Sequence, residues 1–173
     1  MHGVQGRGSG TDLAASVYGG LIGYTVEPRH ISALNGLPPI SLFYSGYKTK
    51  TPDVLAIVAQ KTDAFPDLYA AIYQLMNETT IKAEDAIQQQ NWEALGLLMN
   101  MYQGLMDALG VNDSVLSEII YSLRKSESIL GTKISGSGLG DCVIALGTDD
   151  SLKLSYEMIP VEVSGVGVEC YVD

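Results

Sequence analysis

The sequence predicts an α+β fold, an antiparallel sheet with a block of helices on one face, and three observations carry that prediction. Short apolar, β-branched and aromatic runs bounded by glycine or proline stand near the start, LIGYTV (21–26) and ISLFYSG (40–46), and return near the end as TKIS and CVIALG. Between them, from Thr51 to about Gly110 and again to Leu123, apolar residues recur at spacings of three and four, the helical period. The texture changes after Leu130. Strands and helices are grouped rather than alternating, which argues against a parallel doubly wound sheet.

The elements follow in order. A short helix is expected from Thr11 to about Tyr18, stopped by Gly19-Gly20. The two strands come next. TPDVLAIVAQ opens the helical block, with Thr51 as cap and Pro52 at the first helical position. Pro66 starts a long helix whose apolar positions Leu68, Ile72, Leu75 and Met76 predict its buried face. NWEALGLLMNMYQGLMDALG continues the pattern and stops at Gly110. Asn112 or Asp113 caps a further helix with Val115, Leu116, Ile119, Ile120 and Leu123 as its buried stripe. DDSLKLSYEMIPVEV leaves room for two helical turns at most, and YEMIPVEV with VGVECYV is expected to close the chain as a hairpin about Ser164-Gly165.

A chain of 173 residues predicts a single domain over 1–173, long enough to bury roughly 70% of its unfolded surface without disulfides or a metal. The 46% apolar and 17% charged fractions are those of a globular chain, which excludes disorder. A net charge of −10 with no Lys/Arg cluster argues against nucleic acid and anionic membrane as partners. An anionic ligand would therefore need a metal ion or cations supplied from elsewhere. Cys142 and Cys170, far apart and outside any CxxC spacing, read as reduced thiols. No basic-then-apolar leader pattern and no apolar run of about 18 residues occur, so a cytoplasmic protein is expected.

Two glycine loops stand out. GRGSGTDLAAS (6–16) leads into a helix start, where backbone N–H groups favour anions, yet it carries Asp12. On local grounds Asp12 or Thr11 can simply cap the helix, a contribution of about 1 kcal/mol. GSGLGD (136–141) looks like a dinucleotide fingerprint but is followed by the strand-like CVIALG instead of a helix. It also lacks the Lys-Ser or Lys-Thr of a P-loop. Such a strand-to-strand loop either turns tightly and nothing more, or presents successive N–H groups as an anion-binding nest.

GSGTDLAASVYGGLIGY resembles the acceptor-site segment of the GHMP small-molecule kinases, SGxDxxxSxxGG followed by a strand. MNMYQGLMDALGVNDSVLSEII and GTKISGSGLGDCVIALG are similar to that family's C-terminal motif in the form its mevalonate kinase branch shows. Order and spacing match over about residues 8–147. The resemblance implies the family's C-terminal, ferredoxin-like fold and an ATP- and Mg2+-dependent kinase acting on a small-molecule alcohol such as mevalonate. Asp12 would then face the acceptor hydroxyl as the catalytic residue, with Ser9 and Gly10 shaping the turn that presents it. Ser135, Gly136, Ser137, Gly138 and Gly140 would form the loop near the transferring phosphate. Thr51, ending YSGYKTKT, matches the family's substrate-side motif, a role that helix capping explains equally well. No metal ligand is assigned.

Departures qualify the branch. Ser137 stands where Ala is usual, and Asp141 stands where mevalonate kinases have Gly; Gly-Asp-Cys is more like phosphomevalonate kinases. The P-x-x-x-G-L-G-S-S-A-A loop that binds ATP in the family's N-terminal domain is not in this sequence. The chain is therefore expected to be the C-terminal catalytic lobe, inactive alone, with the N-terminal kinase domain as its missing partner and an exposed docking surface that promotes homo-oligomers. The diphosphomevalonate decarboxylase branch and a non-catalytic small-molecule-binding module are the alternatives.

Overall fold

The computed structural model describes residues 9–169. Helix α1 (Thr11–Tyr18) is followed by strands β1 (Leu21–Thr25) and β2 (His30–Leu34), then β3 (Ile40–Lys48). Four helices come next: α2 (Thr51–Ala64), α3 (Pro66–Gln88), α4 (Trp92–Leu109) and α5 (Ser114–Leu123). Strands β4 (Gly131–Ser135), β5 (Gly140–Leu146) and β6 (Glu157–Ile159) complete the order. The architecture is the expected α+β arrangement. β3, β4, β5 and β6 form one antiparallel sheet in the order β4-β5-β3-β6, and β1 and β2 form a separate antiparallel pair.

Several local expectations hold for identifiable reasons. The Asp113 carboxylate accepts from the Leu116 amide at 3.0 Å and caps α5. Asn91 caps α4 in the same way through Ala94, and Gly110 in a left-handed conformation ends it. Leu116, Ile119, Ile120 and Leu123 are fully buried against Phe43, Ile134, Val143 and Ala145 on the facing side of the sheet. Each such side chain contributes about 1.5–3 kcal/mol of apolar burial, so this layer is the main core.

Helix α4 runs along β4, the edge strand, and satisfies its outward amides. Asn100 Oδ1 accepts from Thr132 N at 3.1 Å, and Gln103 Oε1 accepts from Ile134 N at 2.8 Å. Spacing i, i+3 puts both amides on one helix face, and the covered edge is closed to further strand pairing. The approach depends on Gly96, where a β-carbon would stand 2.4 Å from the Leu130 carbonyl oxygen.

Three expectations are corrected. Thr51 is the first helical residue of α2 rather than its cap; Lys50 takes the cap position and no side chain caps this helix. Leu68 and Leu75 are exposed on α3, because the helix packs through Tyr69, Ile72, Met76, Thr79 and Ala86 instead. The segment 148–156 forms no helical turn, within the expected limit of two. The closing hairpin is absent among the described residues: Glu157–Ile159 pairs with β3, and the following segment lies on α1, with Gly20 N donating to Ser164 O at 2.7 Å and Val168 N to Ser16 O at 3.1 Å. The end of that expected hairpin, Cys170 and the glycines before Ser9 lie outside the described residues. Strand β2, which no sequence pattern announced, pairs fully with β1 and rests on α3 through Ser32 Oγ donating to Glu84 Oε1 at 3.1 Å.

Candidate functional site

The first group of predicted residues sits at the start of α1. Gly10 takes the N-cap position with φ +82°, a conformation glycine adopts without strain. Neither Thr11 nor Asp12 is the cap. Ser9 Oγ lies 2.7 Å from Thr11 Oγ1 and accepts from the Thr11 amide at 3.3 Å, while Tyr24 Oη donates to the Ser9 carbonyl at 2.9 Å. Asp12 is exposed in the first helical turn, and its Oδ1 accepts only from its neighbour Leu13 N at 2.9 Å. Its other oxygen is open to an incoming hydroxyl.

The second group is the loop between β4 and β5. Ser135 pairs with Cys142 at its base, so the glycines join two antiparallel strands and the dinucleotide reading is excluded. The loop is docked on two sides. Leu139 N donates to Val111 O at 2.8 Å, and a β-carbon on Gly138 would stand 2.3 Å from the same carbonyl. On the other side Thr49 N donates to Leu139 O at 3.3 Å, and the Tyr47 ring packs where a Gly140 β-carbon would stand, at 2.8 Å. Tyr47 is itself anchored, its hydroxyl donating to Asp113 Oδ2 at 2.6 Å while Asp113 Oδ1 caps α5. Burial, followed by this hydrogen bond to Asp113, pushes the Tyr47 phenol up to about 12.

Among the described residues, the amide N–H groups of Gly136, Ser137 and Gly138 donate to no protein acceptor. Gly136 and Gly138 have positive φ on either side of Ser137, which does not, and such alternation is the backbone pattern of an anion-binding nest. This is donor geometry for an anion. Lys48 closes the loop's outer side through an ion pair with Asp141 Oδ2 at 2.6 Å, and that hydrogen bond and charge raise the ammonium above its ordinary range. Cys142, whose thiol donates to Asp141 Oδ1 at 3.6 Å, is pushed up to about 11 by burial first and the neighbouring carboxylate second, so it is a protonated and inert thiol.

The predicted residues thus fall into two places. Thr51 lies three residues beyond Lys48, at the start of α2 and just after the segment 47–49 that contacts the glycine loop. Asp12, Ser9 and Gly10 lie apart: among the described residues no hydrogen bond or ion pair ties Asp12 to that loop. Sequence reasoning named Asp113 only as a helix cap and missed Tyr47 and Lys48 as site residues. The only available signal was Lys48 inside YSGYKTKT, a cation in a strongly acidic chain. A cavity of about 170 Å3 lies at the far end of β3, lined by Ile40, Phe43, Leu123, Ile129 and Met158, and holds none of the predicted site residues. Among the described residues no group of three His, Cys, Asp or Glu side chains is placed to hold a metal ion, and no helix is long and apolar enough to cross a membrane.

This fold, with its glycine loop between β4 and β5, is the GHMP kinase C-terminal fold, and residues 83–157 match the family model for "GHMP kinases C terminal". The relatives it matches include mevalonate kinases. That of Pyrococcus furiosus is 37% identical over 149 residues, covering 83% of this chain and 44% of that protein. That of Aeropyrum pernix is 31% identical over 157 residues, covering 90% and 48%. The chain therefore spans less than half the length of the curated relatives it matches. Among solved structures, L. major mevalonate kinase in complex with R-mevalonate superposes with a TM-score of 0.78 at 26% identity, over 86% of this chain and 46% of that one. The Lin0012 protein of Listeria innocua shares the fold at TM-score 0.81 and 23% identity, over 92% and 55%.

Proposed function

We propose that this chain is the acceptor-side C-terminal lobe of an ATP-dependent kinase that phosphorylates a small-molecule alcohol such as mevalonate. The observation that carries the reading is the loop 136–138, whose three unpartnered amides are held in place by the same segment, 47–49, that leads to Thr51. Phosphoryl transfer demands positioning and charge stabilisation more than covalent chemistry from the protein. The loop amides suit the second requirement, by donating to phosphoryl oxygens. Asp12 suits the first: its open carboxylate oxygen can accept the acceptor hydroxyl's hydrogen bond, orient the oxygen and take its proton. ATP and Mg2+ would supply the phosphoryl group and neutralise its charge, and most of the nucleotide's contacts would come from an N-terminal domain. Asp141 before Cys142 favours a phosphorylated alcohol, as in phosphomevalonate kinases, as the second reading of the acceptor.

The test is ADP release from ATP and Mg2+ with mevalonate and with phosphomevalonate. It is made on this chain alone and joined to the N-terminal half of a homologous kinase, with Asp12→Asn in the joined form. Turnover in the joined form alone, lost on Asp12→Asn, is the expected result. No turnover with any small alcohol or phosphorylated alcohol would leave the non-catalytic binding module instead. Release of carbon dioxide from diphosphomevalonate would move the chain to the decarboxylase branch.

A further inference from the structure

The ion pair between Lys48 and Asp141 is out of place as a stabilising device. Lys48 is 59% exposed at the side chain, and exposed pairs contribute about 0–1 kcal/mol. Asp141 holds its half of the pair at φ +69°, a left-handed conformation that costs most residues with a β-carbon about 1 kcal/mol and Asp or Asn less. The two effects offset each other, so stability does not account for the arrangement. Backbone strain of this kind points toward function.

Its position is informative. Asp141 Oδ2 lies 3.8 Å from where a Gly136 β-carbon would stand, so the pair sits at the first residue of the loop with the unpartnered amides. Among the described residues Asp141 is the hydrogen-bonding partner of the Lys48 ammonium, which has three N–H donors and keeps two to spare. Three backbone amides and one ammonium form a donor set suited to a tetrahedral dianion, and more than a carboxylate can use. A dianion also outcompetes the single charge of Asp141 for the ammonium.

We propose that Lys48 is the cation of a phosphoryl-binding site formed with Gly136, Ser137 and Gly138, and that Asp141 is the internal counter-ion which the ligand's phosphoryl group displaces. The inference rests on the kinase reading of the glycine loop, and it adds the charge that reading lacked in a chain of net charge −10. With no ligand bound, Asp141 holds the ammonium at the loop and masks it. With a phosphoryl group bound, Lys48 turns to the ligand and Asp141 is left beside it as a repelling charge. The exchange sets a preference for doubly charged groups.

The experiment titrates the 15N-labelled chain with inorganic phosphate near pH 7.5 and follows the amide resonances of Gly136, Ser137 and Gly138. Lys48→Met is expected to weaken binding about tenfold, the loss of roughly one charge-assisted hydrogen bond. Asp141→Asn keeps a side chain that tolerates positive φ and removes the competing charge, so it is expected to tighten binding severalfold. Opposite signs are the signature, because a merely structural pair would weaken binding on loss of either partner. Thermal melts verify folding, with Lys48→Gln replacing Lys48→Met if the latter is unfolded. Equal affinity in all three proteins, the same sign for both substitutions, or acetate moving the loop amides as phosphate does would overturn the proposal. So would loop amides that ignore phosphate. ADP release is not part of this readout, so a failure of the kinase reading registers separately.

Discussion

Gly96→Ala and Gly104→Ala make the same chemical change in the same helix and should move stability in opposite directions. In a helix interior, alanine in place of glycine is favourable by about 1 kcal/mol from backbone entropy alone. At Gly104, which is exposed with nothing within 4 Å of the added carbon, that gain stands nearly unopposed. At Gly96 the added carbon would stand 2.4 Å from the Leu130 carbonyl oxygen, 2.5 Å from its carbon and 2.8 Å from its β-carbon. Two of these are backbone atoms that cannot rotate away, so α4 must retreat from β4 by about 1 Å to reach ordinary contact. Overpacking costs about 1–3 kcal/mol. The same retreat stretches the bonds from Thr132 N to Asn100 and from Ile134 N to Gln103, and each buried amide left without an acceptor costs about 1–3 kcal/mol. Gly96→Ala is therefore expected to lose about 2–4 kcal/mol net, seen in urea unfolding and as a Tm lowered by about 5–15 °C, whereas Gly104→Ala gains up to about 1 kcal/mol. A Gly96→Ala protein as stable as the parent would refute the close packing of α4 on β4.

Lys133 is buried against the Tyr102 ring, with its ammonium bonded to the Ile134 carbonyl, and burial pushes it down to about 8. Above that value the unfolded chain binds more protons than the folded one, so stability rises with pH, by about 1 kcal/mol between pH 8 and 9. Lys133→Met should flatten that slope in paired urea titrations, and a parent protein with no slope would contradict the assignment; above pH 9 the raised Cys142 thiol acts in the opposite sense. Asp113→Ala removes both the α5 cap and the Tyr47 acceptor and should cost about 1–2 kcal/mol, whereas Asp113→Asn, which keeps an acceptor oxygen, should cost less than half of that. Equal losses would show that the carboxylate's charge, not its hydrogen bonds, matters. Leu68, Leu75 and Ile81 on α3 and Leu13 on α1 are about half exposed or more, and light scattering is expected to show self-association of the isolated chain; a monomer at high concentration would count against it.

Local chemistry made much of the fold legible. Pro66 and Asp113 mark helix starts because each satisfies or lacks a particular N–H, and CVIALG reads as a strand because β-branched residues follow a glycine turn. Helical spacing found α3 and part of its packed face, Ile72 and Met76 but not Leu68 and Leu75. Leu68 and Leu75 share the period with Ile72 and Met76, and tertiary neighbours, not periodicity, chose Tyr69, Ile72, Met76 and Thr79. Strand β2 escaped because HISAL is short and mixed, so its conformation comes from pairing with β1. The VGVE stretch alternates as a strand should, yet its partner is the backbone at the end of α1.

The site divides along the same line. The glycine loop was legible as a strand connection, but what shapes it was not: Val111, Tyr47, Asp113 and Lys48 reach it from remote parts of the chain. Asp12 differs in how it is supported. It stands on α1, beside a two-stranded sheet tied to the rest through Ser32 and Glu84, and two strands alone are marginal in water. α1 also leaves Leu13, Val17 and Tyr18 exposed around that carboxylate. In the proposed kinase reading an N-terminal domain would cover this face, and Asp12 would then stand at the junction of two lobes and the glycine loop within one. Loop geometry should then survive in the isolated chain while catalysis does not. Phosphate binding without turnover is the combination that follows from that division.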